Sequence, residues 1–399
     1  MEGSRGSRRQ IVMGQKKRKV CVVITARPSY SRIKTAMVAL REREDVELQV
    51  VVAASALLER YGRAIDIIKQ DGFEVSASVL NVLEGEDLRS MAKTTGLGII
   101  EMASVLDSLK PDVVVSVADR YETLATAVAA SYMNIPLCHI QGGEVTGSID
   151  EKVRHAITKL SDLHLVSNEK ARERVIRMGE VPETVHTTGC PSIDIAAEIM
   201  KEPAREIGFH RKYGGVGREQ DLSQGYLVVL QHPVTTEYQA AREQITETLE
   251  AIYEFDRPTL WFWPNVDAGS DGTSKGIRTF RETRGAENIH YYKNMEPRDF
   301  LHLLRGSIGI VGNSSVALRE CSFLGVPAID IGSRQAGRDR GANVVNVGYG
   351  RIEILRALEE CTQRGHLPSD HLYGGGQAGE RIADCLATAS FGTNKKLTY

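Results

Sequence analysis

The chain has 399 residues, 42% of them hydrophobic and 26% charged, with a formal net charge of −2. That length exceeds one typical domain and suits two, and the composition is that of an ordinary globular protein. The near-zero charge supplies no basic field for nucleic acid or an acidic membrane surface, so an anionic ligand must be held by local groups.

Residues 1–19 are rich in Gly, Ser, Lys and Arg without an apolar stretch, which predicts a disordered basic tail and no secretory signal. No apolar run is long enough to span a bilayer. The six cysteines are scattered without a CxxC pair, and Cys21, Cys138 and Cys321 sit in apolar surroundings. They read as reduced packing residues, and the expected location is cytoplasmic.

Residues 20–25 (VCVVIT) predict a buried strand, 26–31 a turn and 33–42 a helix. A strand over 48–53, a helix over 57–70, an extended stretch over 73–80 and a helix over 86–109 follow. The strand expected over 113–117 ends at Asp119 and Arg120, a helix covers 122–133, and the strand over 136–140 ends in Gln141, two glycines and Glu144. A strand over 163–167 and a helix over 169–178 lead to a break at 187–191, the expected domain junction. Residues 203–223 show no strong periodicity. Further strands are expected at 226–230, 260–263, 289–291, 308–311, 328–331 and 344–346, then closing helices over 352–363 and 379–389. Short apolar strands alternating with helices predict parallel sheets covered on both faces. The expected layout is two α/β domains, 20–190 and 191–378, with residues 379–399 crossing back to the first and a ligand cleft between the two.

The chain is organised around residues 309–338, GIVGNSSVALRECSFLGVPAIDIGSRQAGR. A strand that feeds a Gly/Ser turn into a helix, expected over 316–324, offers backbone N–H groups and the hydroxyls of Ser314 and Ser315 to an anion. Glu320 can reach a neutral part of the same ligand, and Arg334 and Arg338 can fork onto phosphate. Other strand-end loops offer partners. Arg27 and Ser31 follow the first strand, although an Arg in a turn is often a solvated charge. Asp119 is either a ligand group or a cap for the next helix. Residues 139–150 (HIQGGEVTGSID) carry Glu144 and Asp150 as acid/base candidates, with Arg154 and His155 beyond them. His232 is stiffened by Pro233 at the end of another strand, and Asn265 sits in a similar loop. Residues 374–379 fit GxGxxG literally, but no strand precedes them and no βαβ unit follows, so a dinucleotide site is rejected. No P-loop, HExxH or His/Cys metal spacing occurs, so neither metal nor cofactor is expected.

The motifs VITARPSYSRIK, VADRYETLATAVAASYMNIPLCHIQGGEVTGSIDEKVRHAITKL, TGCPSID, LQHPVTT, FWPNVDAGS and GNSSVALRECSFLGVPAIDIGSRQAGR occur in one order from about residue 19 to about residue 390. Together they resemble the hydrolysing UDP-N-acetylglucosamine 2-epimerases. The resemblance implies a GT-B fold: two Rossmann-like domains with the UDP-sugar between them. It implies anti-elimination of UDP to a glycal and syn hydration to an N-acetylmannosamine-type sugar. It implies nucleotide contacts for Arg27, Ser31, Arg120, His232, Asn265, Ser314, Ser315, Glu320 and Arg334, with Glu320 on the ribose. It implies catalytic positions at Asp119, Asp150 and His232, and a homodimer or homotetramer. Two departures stand out: Ser29 where the family has an acidic residue, and Gln141 where it has Glu. Gln141 matches Glu in shape but cannot carry a proton, so Glu144, Asp119 or Asp150 would have to substitute. These changes keep open a transferase on the same fold and a non-catalytic UDP-sugar binder.

Overall fold

The computed structural model describes residues 16–83, 88–146, 149–203, 208–264, 269–390 and 392–398. The tail expected over 1–19 falls mostly outside them, as does Asn265.

The first sheet contains β1 (Arg18–Ile24), β2 (Val46–Ala53), β3 (Ala77–Val79), β4 (Val113–Val117), β5 (Leu137–Ile140), β6 (Leu163–Val166) and β7 (Val185–Thr187). Its seven strands run parallel in the order β3-β2-β1-β4-β5-β6-β7. The second contains β8 (Leu227–Leu230), β9 (Thr259–Phe262), β10 (Ile289–Tyr292), β11 (Gly309–Gly312), β12 (Ala328–Ile331) and β13 (Val344–Val347). Its six strands are also parallel, in the order β10-β9-β8-β11-β12-β13. The two Rossmann-like domains of a GT-B fold are thus present.

Strand β1 shows why the strands read as unbroken apolar runs. Val20, Val22 and Ile24 enter the core on one face of the sheet, and Cys21 and Val23 the core on the other. Both faces are dry, so neither can be polar. In the last helix, Ala378–Thr388, Ile382, Ala383 and Leu386 pack into the core on one face of the first sheet. Buried Asp194 receives the backbone N–H groups of Ala378 (2.8 Å) and Gly379 (2.7 Å), anchoring the start of that helix. The GxGxxG run leads into this helix. A side chain at Gly379 would meet the backbone of Thr35 at 2.6 Å, and one at Gly376 would meet Ala197 at 2.4 Å.

Three local expectations are corrected. The helix over 57–70 is confined to Ala64–Gln70, because Gly62 and Arg63 take positive φ and break it. Of residues 73–80, only Ala77–Val79 pairs as strand, while Phe73 turns into the core instead. The helix over 316–324 is a tight turn, Ser315–Ala317, followed by Glu320–Leu324. Arg319, at ψ −76, separates the two pieces.

Candidate functional site

Each sheet reverses its winding once, between β1 and β4 in the first domain and between β8 and β11 in the second. Loops leaving neighbouring strands at such a point diverge and open a crevice at the strands' carboxyl ends. Arg27, Ser31, Asp119 and Arg120 stand in the first of these crevices, and His232, Ser314 and Ser315 in the second.

In the second domain Asn313 ties the crevice together. The N–H of His232 donates to Asn313 Oδ1 (2.7 Å), and Asn313 Nδ2 donates back to the His232 carbonyl (2.8 Å). Arg334 Nη1 (3.1 Å) and Gln335 Nε2 (2.8 Å) both donate to the Asn313 carbonyl. One fully buried amide therefore sets the positions of His232, Arg334 and the serine turn. Gly312 makes this possible: at φ +134, a side chain there would lie 2.2 Å from the Leu230 carbonyl. Glu320 opens the short helix beyond, and its Oε2 is buried without a hydrogen-bond partner among the described residues. A buried, unmatched carboxylate oxygen is costly and is a ready acceptor for ligand hydroxyls.

In the first domain Asp119 pairs with the guanidinium groups of Arg154 and, at 3.6 Å, Arg32. Arg120 pairs with buried Glu122 (3.2 Å). Arg27 reaches over to the second domain, donating to the Met295 carbonyl (3.2 Å). Ser31 Oγ donates to the Pro28 carbonyl (3.0 Å). Asp150 is half-buried in the first turn of the helix Ile149–Leu160, which also carries Arg154.

The two domains meet through buried charge. Glu144 accepts hydrogen bonds from Ser167 Oγ (2.9 Å) and Arg338, and Arg319 lies 3.8 Å from the same carboxylate. Gln141 accepts from Arg319 Nη1 (3.2 Å) and donates through Nε2 to Cys190 Sγ (2.9 Å). Burial alone would raise the Glu144 pKa, but Arg319, Arg338 and Arg32 overcome it and pull the group down to about 2. A carboxylate held this way is a clamp, and a poor proton carrier near neutrality. Four guanidinium groups (Arg32, Arg154, Arg319 and Arg338) crowd around three carboxylates, Asp119, Glu144 and, 3.5 Å from Arg154, Glu151. Burial, then repulsion from Arg319 and Arg338, lowers the Arg32 pKa to about 9. The excess of positive charge in a dry cleft suits a multiply charged anion. A second tie, the two-pronged pair of Arg174 with Asp339 (2.9 Å for each prong), fixes the loop after β12 against the first domain.

The structure therefore brings Asp119, Gln141 and Glu144 into one charged network and His232, Ser314, Ser315 and Arg334 into another. Sequence reasoning missed Arg32, Asn313, Cys190 and Arg319 as members. Arg32 and Arg319 each lie one residue from a chosen position, Ser31 and Glu320, inside motifs already singled out.

The family profile described as UDP-N-acetylglucosamine 2-epimerase matches residues 38–387. The chain is 32% identical over 373 residues to the UDP-N,N'-diacetylbacillosamine 2-epimerase (hydrolyzing) of Legionella pneumophila, a match covering 93% of this chain and 96% of that protein. It is 33% identical over 344 residues to the polysialic acid biosynthesis protein P7 of Escherichia coli, covering 86% and 85%. Among solved structures, the UDP-GlcNAc 2-epimerase of Neisseria meningitidis bound to UDP-GlcNAc superposes with a TM-score of 0.78 at 19% identity, covering 92% of this chain and 99% of that one. The profile match takes in most of both sheets and the strand-end loops described above except the one after β1 that carries Arg27, Ser31 and Arg32, and the chain belongs to the UDP-N-acetylglucosamine 2-epimerase family.

Proposed function

We propose that the chain is a hydrolysing UDP-N-acetylhexosamine 2-epimerase. In this reading a base removes the proton on C2 of the sugar as the C1–O bond to UDP breaks, leaving a C1=C2 glycal. Water then adds its oxygen to C1 and a proton returns to the opposite face of C2, freeing the epimerised sugar. Ser314, Ser315, Arg334 and His232 hold the diphosphate, Glu320 the ribose hydroxyls, and Arg27, Ser31, Arg120 and Asn265 complete the nucleotide contacts. Stabilising the departing diphosphate supplies the largest rate contribution. Glu144 is the more deeply buried of the two arginine-paired carboxylates, with its pKa held at about 2, and Gln141 carries no proton, so proton traffic falls to Asp119 and Asp150.

The observation that carries this reading is the meeting of both switch-point crevices at a buried cluster with more guanidinium than carboxylate charge. The family relation favours the epimerase over the transferase and the binding-only protein. A cytoplasmic homodimer or homotetramer remains the expected form. The test is incubation with UDP-N-acetylglucosamine and with UDP-N,N'-diacetylbacillosamine in D2O, followed by NMR. Release of UDP with deuterium at C2 is expected for at least one of them; no release from either overturns the reading.

A further inference from the structure

The mechanism above leaves two fully buried imidazoles of the first domain unused: His164, which pairs with Glu180, and His139. His139 lies on β5 and is 0% exposed. Its Nε2 is 2.8 Å from the carbonyl oxygen of Ala118, and its Nδ1 is 3.1 Å from Thr158 Oγ1. A carbonyl only accepts, so Nε2 carries the proton and Nδ1 accepts from the threonine hydroxyl. Ala118 is the residue between β4 and Asp119. It holds φ +65, which a non-glycine residue keeps only when its surroundings enforce it. Its N–H donates to the Ile140 carbonyl (3.0 Å), so β5 grips both backbone polar groups of this residue. Gly142 covers the pair closely: a side chain there would sit 3.0 Å from both His139 Nδ1 and Thr158 Oγ1. From below, Lys395 Nζ donates to the Thr158 carbonyl (3.0 Å).

We propose that His139, oriented by Thr158, is a positioning residue that holds Ala118 in its left-handed conformation and so aims Asp119 at the sugar. This rests on the epimerase reading for the task of Asp119, though not for the geometry. Burial holds the imidazole pKa down at about 3, so the ring stays neutral at working pH. It therefore acts through one fixed N–H, and adds no charge to the arginine cluster nearby.

The test compares His139→Leu, which fills the volume without a donor, with His139→Gln, whose side-chain amide N–H can reach the same carbonyl. The leucine variant is expected to lose about tenfold or more in kcat with KM and UDP affinity within about twofold, and glutamine to restore most of the loss. Equal losses in the two variants, or a parallel loss of UDP affinity, overturn the proposal. Should His139→Leu fail to fold, Thr158→Val serves: a severalfold loss in kcat at unchanged UDP affinity is expected, and wild-type kcat overturns the proposal. A readout free of turnover separates this inference from the epimerase reading. The backbone chemical shifts of Ala118 should leave the left-handed range in His139→Leu, or in Thr158→Val if that variant stands in, and return to it in His139→Gln. Unchanged Ala118 shifts overturn the inference even if the enzyme is active, and the expected shifts uphold it even if UDP-sugar turnover is absent.

Discussion

Glu144, in the loop after β5, accepts a hydrogen bond from Arg338, in the loop after β12. One buried carboxylate thereby joins strand-end loops of the two domains. Replacing it with alanine leaves Arg319 and Arg338 buried without their shared counter-charge, and breaking a buried pair in this way costs about 3–5 kcal/mol. Glu144→Ala is therefore expected to lower the urea midpoint sharply and to loosen the domain contact, with a larger radius of gyration in solution scattering. Because the Glu144 pKa is lowered in the fold, its contribution is present above its ordinary value of 4.5 and is lost as the pH falls through about 2.

Glu320 makes the opposite prediction for stability. Its Oε2 is buried and accepts no hydrogen bond from the described residues. Glu320→Gln replaces an unsatisfied carboxylate oxygen by a neutral amide, so the melting temperature of the free protein should hold or rise. Hydrogen bonds from ribose hydroxyls to a carboxylate are worth about 1.5–3 kcal/mol. Their weakening should lower UDP affinity by about tenfold to a hundredfold, which calorimetry can measure.

Gln141 bears on the family's missing acid. Its amide has a donor on one side, Arg319, and a sulfur acceptor on the other, Cys190. Gln141→Glu would set a carboxylate against Arg319 and draw that guanidinium away from Glu144 and the cleft. Turnover of the UDP-sugar is expected to fall by about tenfold through lost electrostatic stabilisation. A rise in UDP release would show instead that residue 141 is simply a proton carrier lost from this chain.

Asp330 provides a pH dependence. It is fully buried at the end of β12, 3.2 Å from Arg340, which also donates to the Gln335 carbonyl (3.0 Å) within the loop that carries Arg334 and Arg338. Burial, partly offset by Arg340, raises its pKa from 3.8 to about 6. Below that value the carboxyl is neutral and Arg340 loses its partner. UDP affinity should weaken as the pH falls from 7 through 6, and Asp330→Asn should flatten that dependence. The stability effect has the reverse sign: the contribution from this shift is fully present below 3.8 and is lost as the pH rises through about 6.

Much of the fold was legible in the sequence because of how water is excluded from it. Strands buried on both faces are short and mostly apolar, and the polar residues that follow them, at Asp119, Gln141, His232 and Ser314, fall just beyond the strands' carboxyl ends. Local breaks were harder to read. Positive φ at Arg63 and the distorted Arg319 interrupt helices whose apolar spacing continues through them.

The sequence by itself determined the alternation of strands and helices, the carboxyl-end loops and the family to which their motifs point. Only the tertiary structure decided which charges meet. Arg319 reaches Gln141 across 178 positions of chain, and Arg338 reaches Glu144 across 194. Such pairs leave no period in the sequence, because their energy comes from two separately folded surfaces expelling water between them, and a charge gains its partner only once that water is gone.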